Sequence, residues 1–387
     1  MVRRMRVLLL QHELSRTGAP RIGIDVFDSM RGDVEARTIA LCGGPMEEDC
    51  RAIGPLNIIW RGRPMSQIVW RVFDRYERIR WIRDLHRWAP ELIYVNSVAA
   101  LLILQMVSLP DVPAIVHVHE LRNALFPIMK KCPDLLVRRP VRYLAVSEAV
   151  RQDLVSECGI DKDRIAVIHE FVPERRIDDA SSPQAGRPDV GTLVVGGAGV
   201  PSWRKGTKLW LQMVAEVRRL VGPLARFVWV GVPERPDFGW REGKNFRREV
   251  CLMGLDGVVE LIPTTTRPFE HFARFDVFAM TSLEDPCPLV VLETMGLGTP
   301  VVCFAGGGGS PEVVADTGVI IPDFDPLAMA RAIADLAADP QERVRLGALA
   351  RQRVLANFTN RVQVPKIRRE LELLLDRPSV ASHQEEC

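Results

Sequence analysis

The sequence predicts an α/β protein of two doubly wound, Rossmann-like domains, each a parallel sheet with helices on both faces, facing each other across a cleft. Three observations predict it. Short β-rich runs alternate with longer helical patterns along almost the whole chain, as parallel sheets require. The strand-like runs lack polar/apolar alternation, as strands covered on both faces do. Residues 176–191, RIDDASSPQAGRPDVG, break the rhythm with a polar stretch of linker composition, and it restarts afterwards.

The elements follow in order. RVLLLQ, ARTIAL, ELIYVN, AIVHVH and RYLAVS are the strands of a first domain over residues 1–175. Ser147 to Cys158 reads as a helix with Ser147 as its N-cap and Gly159 as its stop. In a second domain over 192–357, TLVVGG, RFVWVGV, VVELIP, DVFAMTS, PVVCFA and GVIIP are strands. Lys205 to Leu220 is helical, with Leu209, Met213 and Val217 on one face. Beyond Asp325 only helical patterns remain. Residues 358–387 should form a helix with Leu371, Leu374 and Leu375 as apolar contacts, packed back on the first domain, and then a tail.

Composition removes several function classes. The chain has 387 residues, 47% hydrophobic, with a net charge of +2, so it carries no nucleic-acid footprint. Its eight cysteines form no CxxC pair, which argues against zinc and for reduced thiols in a cytosolic protein. The start, MVRRMRVLLLQHEL, is too short in apolar residues for a signal-peptide core. LIYVNSVAALLILQMVSLP is broken by polar residues and reads as a strand and a helix, not a membrane span. Residues 51–90 hold nine arginines against three carboxylates. That excess suits peripheral docking at an anionic inner membrane face, around Trp60 to Trp88, or equally a solvated arginine-rich helix.

Three stretches carry chemistry. In such sheets ligands bind beyond the C-terminal strand ends, beside helix N-termini. DVFAMTS leads there through the loop EDPCP into the helix LVVLETMGLG. The backbone around Pro288, Leu289 and Val290 opens that helix and attracts phosphate, proline itself supplying no amide. The flanking carboxylates Asp285 and Glu293 would repel phosphate, so they suit sugar hydroxyls. The second stretch, GGAGVPSWRKGTKLW, fails both GxGxxG and GxxxxGK[ST]. Even so, it places glycines, Gly199 among them, beside Arg204 and Lys205 at a strand end, where two cations suit a diphosphate held without a metal. The third, AGGGGSPEVV, has a glycine run suited to close approach of a ligand, with Ser310 as N-cap.

With these residues the sequence resembles a retaining GT-B glycosyltransferase of family 4, the glycosyl transferases group 1 type. Matching pieces are GxGxxxxxRKG at 197–206, TSLEDPCPLVVLETMGLGTPVV at 281–302, GGGGSPEVV, DTGVIIP and the RxRVLANF tail, with YLAVSEAVRQDLVSECGIDKDRIAVIHEFV and HVHEL in the first half. The resemblance implies transfer of a sugar from a nucleotide-diphosphate sugar, UDP or GDP type, to an acceptor hydroxyl with retention, in cell-envelope or polysaccharide synthesis. It implies no further cofactor and no metal. Asp285 then faces the donor sugar, where the family usually has glutamate, and Glu293 binds the ribose. Arg204 and Lys205 neutralise the leaving diphosphate. Gly18 in the TGA turn contacts donor or acceptor, and His119 faces the sugar, with His117 on the same side of its strand. The base falls near Gly231 or Pro263 to Thr265. Retention is expected through front-face attack, since no acid partner for Asp285 is evident. The acceptor is a glycan or lipid-linked molecule on the first domain. A sugar-nucleotide 2-epimerase of similar fold and a non-catalytic nucleotide-sugar-binding protein are the alternatives.

Overall fold

All eleven strand runs form strands, and the structure adds two more. This computed structural model describes residues 3–60, 79–130, 141–180, 192–234 and 239–376. The chain divides into two units. The first comprises Met1–Ala145, Arg151–Ile168 and Val364–Cys387; the second comprises Val146–Val150 and His169–Gln363. Helix Glu174–Ala180 takes up the start of the stretch read as a linker, and 181–191 lie outside the described residues.

The first unit holds β1 (Met5–Gln11), β2 (Val34–Cys42), β3 (Leu56–Trp60), β4 (Leu92–Asn96), β5 (Ala114–Val118), β6 (Val141–Ala145) and β7 (Ile165–Val167). They form one parallel sheet in the order β3-β2-β1-β4-β5-β6-β7. The two strands absent from the sequence reading, β3 and β7, are its edges. β3 has no fully buried residue and β7 has one. An edge strand is covered less than a central one, so it lacks the continuous apolar run by which the others were found.

The second unit holds β8 (Leu193–Ala198), β9 (Ala225–Val232), β10 (Val259–Pro263), β11 (Val277–Met280), β12 (Val301–Phe304) and β13 (Val319–Ile321), parallel in the order β10-β9-β8-β11-β12-β13. Its core is aromatic. Trp210 from helix Thr207–Val221 meets Trp229 of β9 edge-on at 5.2 Å, and Trp229 meets Phe246 at 5.2 Å. Edge-to-face packing of this kind adds to the burial of large rings. These rings explain two glycines that look like part of a phosphate loop. A Cβ on Gly197 would lie 2.5 Å from Trp210 Nε1, and one on Gly196 would lie 2.2 Å from Phe275. Both glycines leave room for the core.

In each sheet the winding reverses once, between β1 and β4 and between β8 and β11. At such a reversal the connections leave in opposite directions and open a crevice at the C-terminal strand ends. The reversal in the second unit places the loop after β8, residues 199–206, beside the loop after β11, residues 281–288.

The C-terminal helix Asn360–Leu375 buries Ile367, Leu371 and Leu374, while Leu375 stays half-buried. In the first unit Glu370 accepts from Arg142 Nε of β6 at 2.5 Å, with both side chains mostly covered. Trp88, one end of the segment expected to face a membrane, is buried. Its Nε1 donates to Glu35 at 2.6 Å and the Arg37 guanidinium covers its ring at 4.8 Å. Residues 61–78 of that segment lie outside the described residues. Among the described residues no helix is long and apolar enough to cross a membrane.

Removing one partner of a covered ion pair strands the other charge. Arg142→Met should therefore lower unfolding free energy by about 3 kcal/mol in a urea titration, and adding Glu370→Leu should restore most of it.

Candidate donor site

The loops after β8 and β11 are stitched together through their backbones. The amides of Leu283 and Glu284 both donate to the Arg204 carbonyl, at 2.7 and 3.3 Å, and Thr281 Oγ1 donates to the Lys205 carbonyl at 3.0 Å. Arg204 Nη1 donates to the Glu284 carbonyl at 3.4 Å. Gly206 closes the turn in the left-handed region, φ +61°, where a Cβ would lie 1.9 Å from the Thr281 carbonyl oxygen. Glycine is required there by the approach of the second loop.

This stitching aims Lys205 at Asp285. Lys205 Nζ donates to Asp285 Oδ2 at 2.6 Å, and Ser282 Oγ donates to the same oxygen at 3.5 Å. Both charged side chains are largely buried. The lysine chain crosses Gly199, where a Cβ would lie 2.9 Å from Lys205 Cε; φ there is +120°. The Gly199 carbonyl accepts from Trp229 Nε1 at 2.9 Å, and a Cβ on Gly231, at φ +105°, would lie 3.2 Å from that carbonyl oxygen. Gly199 and Gly231 thus shape the floor under the lysine.

The glycine run 306–309 holds the Asp285 loop. The Asp285 amide donates to the Gly307 carbonyl at 3.1 Å, and the Gly309 amide donates to the Asp285 carbonyl at 2.9 Å. A Cβ on Gly309 would lie 2.1 Å from the Pro286 carbonyl oxygen. These glycines thus allow close approach of the Asp285 loop. Ser310 is the first residue of the short helix Ser310–Val314 and not its cap; Gly309 holds the cap position, without a side-chain bond.

Pro288 caps helix Leu289–Gly296, so Leu289 and Val290 are its first residues and their amides precede the first intrahelical bonds. Both residues are half-buried, as is Glu293 one turn further on. Arg204, Lys205, Asp285, Pro288, Leu289, Val290 and Glu293 therefore share one end of one sheet.

Glu170 was missed by the sequence reading. It is 5% exposed and lies in the field of Asp285 and Lys205. Burial, then the Asp285 charge, pushes its carboxyl well above the usual range, against the pull of Lys205. The neighbouring Cys287 thiol is also raised, by burial first and then by the Glu170 charge. Nothing in IAVIHEFV marks this glutamate; only the fold brings it to Asp285.

In the first unit the reversal carries a buried polar layer. Asn96 Nδ2 donates to Gln11 Oε1 at 2.8 Å and to the Ala19 carbonyl at 2.7 Å. Asn96 Oδ1 is then the acceptor for His119 Nε2 at 3.0 Å, which puts the imidazole proton on Nε2. Beside it His117 Nδ1 meets Tyr94 Oη at 2.7 Å, and the two imidazoles lie 4.1 Å apart. Burial pushes His119 down to about 3, with a further push from His12, and lowers His117 as well. Both are neutral in this layer. Gly18 opens helix Gly18–Ser29 after Thr17. Gly23 of that helix lets it close on the layer, since a Cβ there would lie 2.4 Å from Gln11 Nε2.

Comparison with known proteins fits this architecture. Residues 191–339 match the model of the glycosyl transferases group 1, and residues 34–176 match that of glycosyltransferase family 4. The chain belongs to the family 4 glycosyltransferases. It is 30% identical over 231 residues to the D-inositol 3-phosphate glycosyltransferase of Streptomyces scabiei, covering 56% of this chain and 50% of that one. It is 29% identical to the GDP-mannose-dependent alpha-(1-6)-phosphatidylinositol monomannoside mannosyltransferase of Mycolicibacterium smegmatis, covering 52% and 51%. The chain thus spans about half the length of these curated relatives. Among solved structures, Anabaena HepE in complex with UDP-glucose superposes with a TM-score of 0.78 at 19% identity, over 95% of this chain and all of that one. WaaG, a glycosyltransferase involved in lipopolysaccharide biosynthesis, superposes at 0.69 with 13% identity, covering 94% and 98%. These neighbours show the GT-B fold.

Two outcomes follow for this family member. Gly199→Ala should lose about 1–3 kcal/mol of stability by urea titration, from the strained φ, and should displace Lys205. The lowered histidines place protons on the unfolded chain first, so their contribution to stability is present above about pH 6.5 and is lost as pH falls from there toward 3. His119→Asn should flatten that acid limb in a series of melting temperatures, relative to the parent.

Proposed function

We propose that the protein is a retaining hexosyltransferase, which moves a sugar from a nucleoside-diphosphate sugar to an acceptor hydroxyl in glycan synthesis. The observation that carries this reading is the buried Lys205–Asp285 contact of 2.6 Å at the reversal of the second unit's sheet, ahead of a helix N-terminus.

Each group has a task suited to its chemistry. Lys205, with Arg204 beside it, meets the diphosphate, and the amides of Leu289 and Val290 meet its phosphate oxygens. Glu293 accepts from the ribose hydroxyls. Asp285, released from Lys205 as the diphosphate takes up the lysine, accepts from hydroxyls of the donor sugar. As the glycosidic bond breaks, negative charge grows on the departing phosphate. Fixed cations and helix amides stabilise that charge more in the transition state than before it. Retention follows if the acceptor attacks from the leaving group's face and the phosphate takes its proton. His119, neutral and with its Nε2 proton committed to Asn96, orients groups and does not supply charge. Gly18 and Gly231 belong to the same reading, as backbone that approaches the ligand.

UDP or GDP is the nucleotide class we infer, in line with the UDP-glucose bound to HepE and the GDP-mannose dependence of the mycobacterial mannosyltransferase. The acceptor is a cyclitol, glycan or lipid-linked glycan, by analogy with the same relatives. A cytoplasmic location with peripheral contact at the inner membrane face belongs to this reading; its support is the arginine excess of residues 51–90. An epimerase needs no acceptor, and no feature of the site favours it.

Lys205→Ala and Glu293→Ala should each cut sugar transfer roughly 10²-fold or more, in line with loss of one well-placed transition-state contact. The test scores nucleotide released from labelled UDP- and GDP-sugars, after a thermal-shift panel has chosen the donor. Parental rates in both variants would overturn the site.

A further inference from the structure

In the first unit two side-chain amides link the start of a helix to His119. Gln11 and Asn96 end β1 and β4, and both are fully buried. Gln11 Nε2 donates to the Pro20 carbonyl at 3.3 Å, and Asn96 Nδ2 donates to the Ala19 carbonyl at 2.7 Å. Asn96 Nδ2 also donates to Gln11 Oε1 at 2.8 Å. A backbone carbonyl only accepts, so each amide must turn its nitrogen toward helix Gly18–Ser29. A Cβ on Gly23 of that helix would lie 2.4 Å from Gln11 Nε2 and 2.6 Å from Asn96 Nδ2, so the helix packs directly over both nitrogens. The Asn96 oxygen is thereby turned to His119 Nε2, 3.0 Å away.

We infer that Asn96 is a positioning residue for His119: held by the Ala19 carbonyl, it keeps the imidazole in one tautomer, with the proton on Nε2. The other tautomer would set the Nε2 lone pair against Oδ1 in a buried layer, and the loss of that hydrogen bond disfavours it by roughly tenfold or more. The neighbouring imidazole gives the contrast. His117 Nδ1 meets the Tyr94 hydroxyl at 2.7 Å, and a hydroxyl donates or accepts, so that bond leaves the tautomer of His117 open. An amide anchored on a backbone carbonyl has no such freedom. A neutral imidazole donates at one nitrogen and accepts at the other, so fixing the proton fixes the hydrogen-bond polarity of the whole ring. The anchor, Ala19, adjoins Gly18, and a single amide therefore couples the TGA turn to His119. The consequence for sugar transfer rests on the reading that His119 orients groups in that step; the tautomer does not.

The experiment uses the full chain with nitrogen-15-labelled histidine and reads the protonation of each imidazole nitrogen by NMR at pH 7. The His119 signals are those lost in His119→Gln. In the parent they should show one tautomer, protonated at Nε2. Asn96→Ala should show both tautomers, with kcat for sugar transfer down by about tenfold or more. Its Kd for UDP or GDP should stay within about threefold of the parent, because the groups assigned to the diphosphate stand on the second unit. Asn96→Ser, whose hydroxyl donates or accepts, should mix the tautomers as well, and it decides the matter if the alanine variant does not fold.

A parent protonated at Nδ1 would overturn the inference. So would variants that keep the single Nε2-protonated form, since a merely structural Asn96 would lower the melting temperature and leave the tautomer alone. Mixed tautomers with parental kcat would instead sink the part given to His119 in transfer and leave its positioning by Asn96 intact. No transfer by the parent from any UDP- or GDP-sugar would sink the proposed function, and the tautomer signals would still decide the role of Asn96.

Discussion

The site depends on one backbone contact, the Arg204 carbonyl accepting the amides of Leu283 and Glu284. Strands β8 and β11 are neighbours in the sheet but far apart in sequence, and their loops leave in opposite senses. The shared carbonyl joins those loops at the point where a crevice must open. Gly206 permits the joint, because any Cβ would strike the Thr281 carbonyl. Once the loops are joined, the direction of Lys205 is settled, and Asp285 lies within reach of it. The glycine run 306–309 holds the other side of Asp285 through a second pair of backbone bonds. A buried ion pair is then framed almost wholly by main chain, which does not change rotamer when a ligand arrives.

This framing resolves an oddity of the sequence. GGAGVPSWRKG matches neither standard phosphate loop, yet it is dense in glycine. The structure assigns the glycines separate tasks. Gly196 and Gly197 make room for aromatic rings of the core, Gly199 for the lysine chain, and Gly206 for the opposite loop. In the proposed function the lysine and the start of helix Leu289–Gly296 meet the diphosphate.

The sheets were legible because central parallel strands are apolar on both faces, and RVLLLQ or DVFAMTS cannot be read otherwise. The edge strands β3 and β7 were not, because partial exposure dilutes that signal. Asp285, Glu293 and Lys205 stood out because charges beside buried runs are conspicuous. Glu170 did not. Glu170, set between IAVI and FV, carries no local sign that folding will bring it into the field of an aspartate 115 positions away. His119 was legible as a residue on the same side as His117. Its bond to Asn96 and the burial that keeps it neutral come from its place at the reversal of the first sheet.

Hydrogen exchange of the full chain with and without saturating UDP or GDP tests the central claim most directly. Slowed exchange confined to amides of 199–206 and 285–293 is the predicted result. Nucleotide binding that leaves both loops unprotected, and slows amides elsewhere in the second unit, would contradict it.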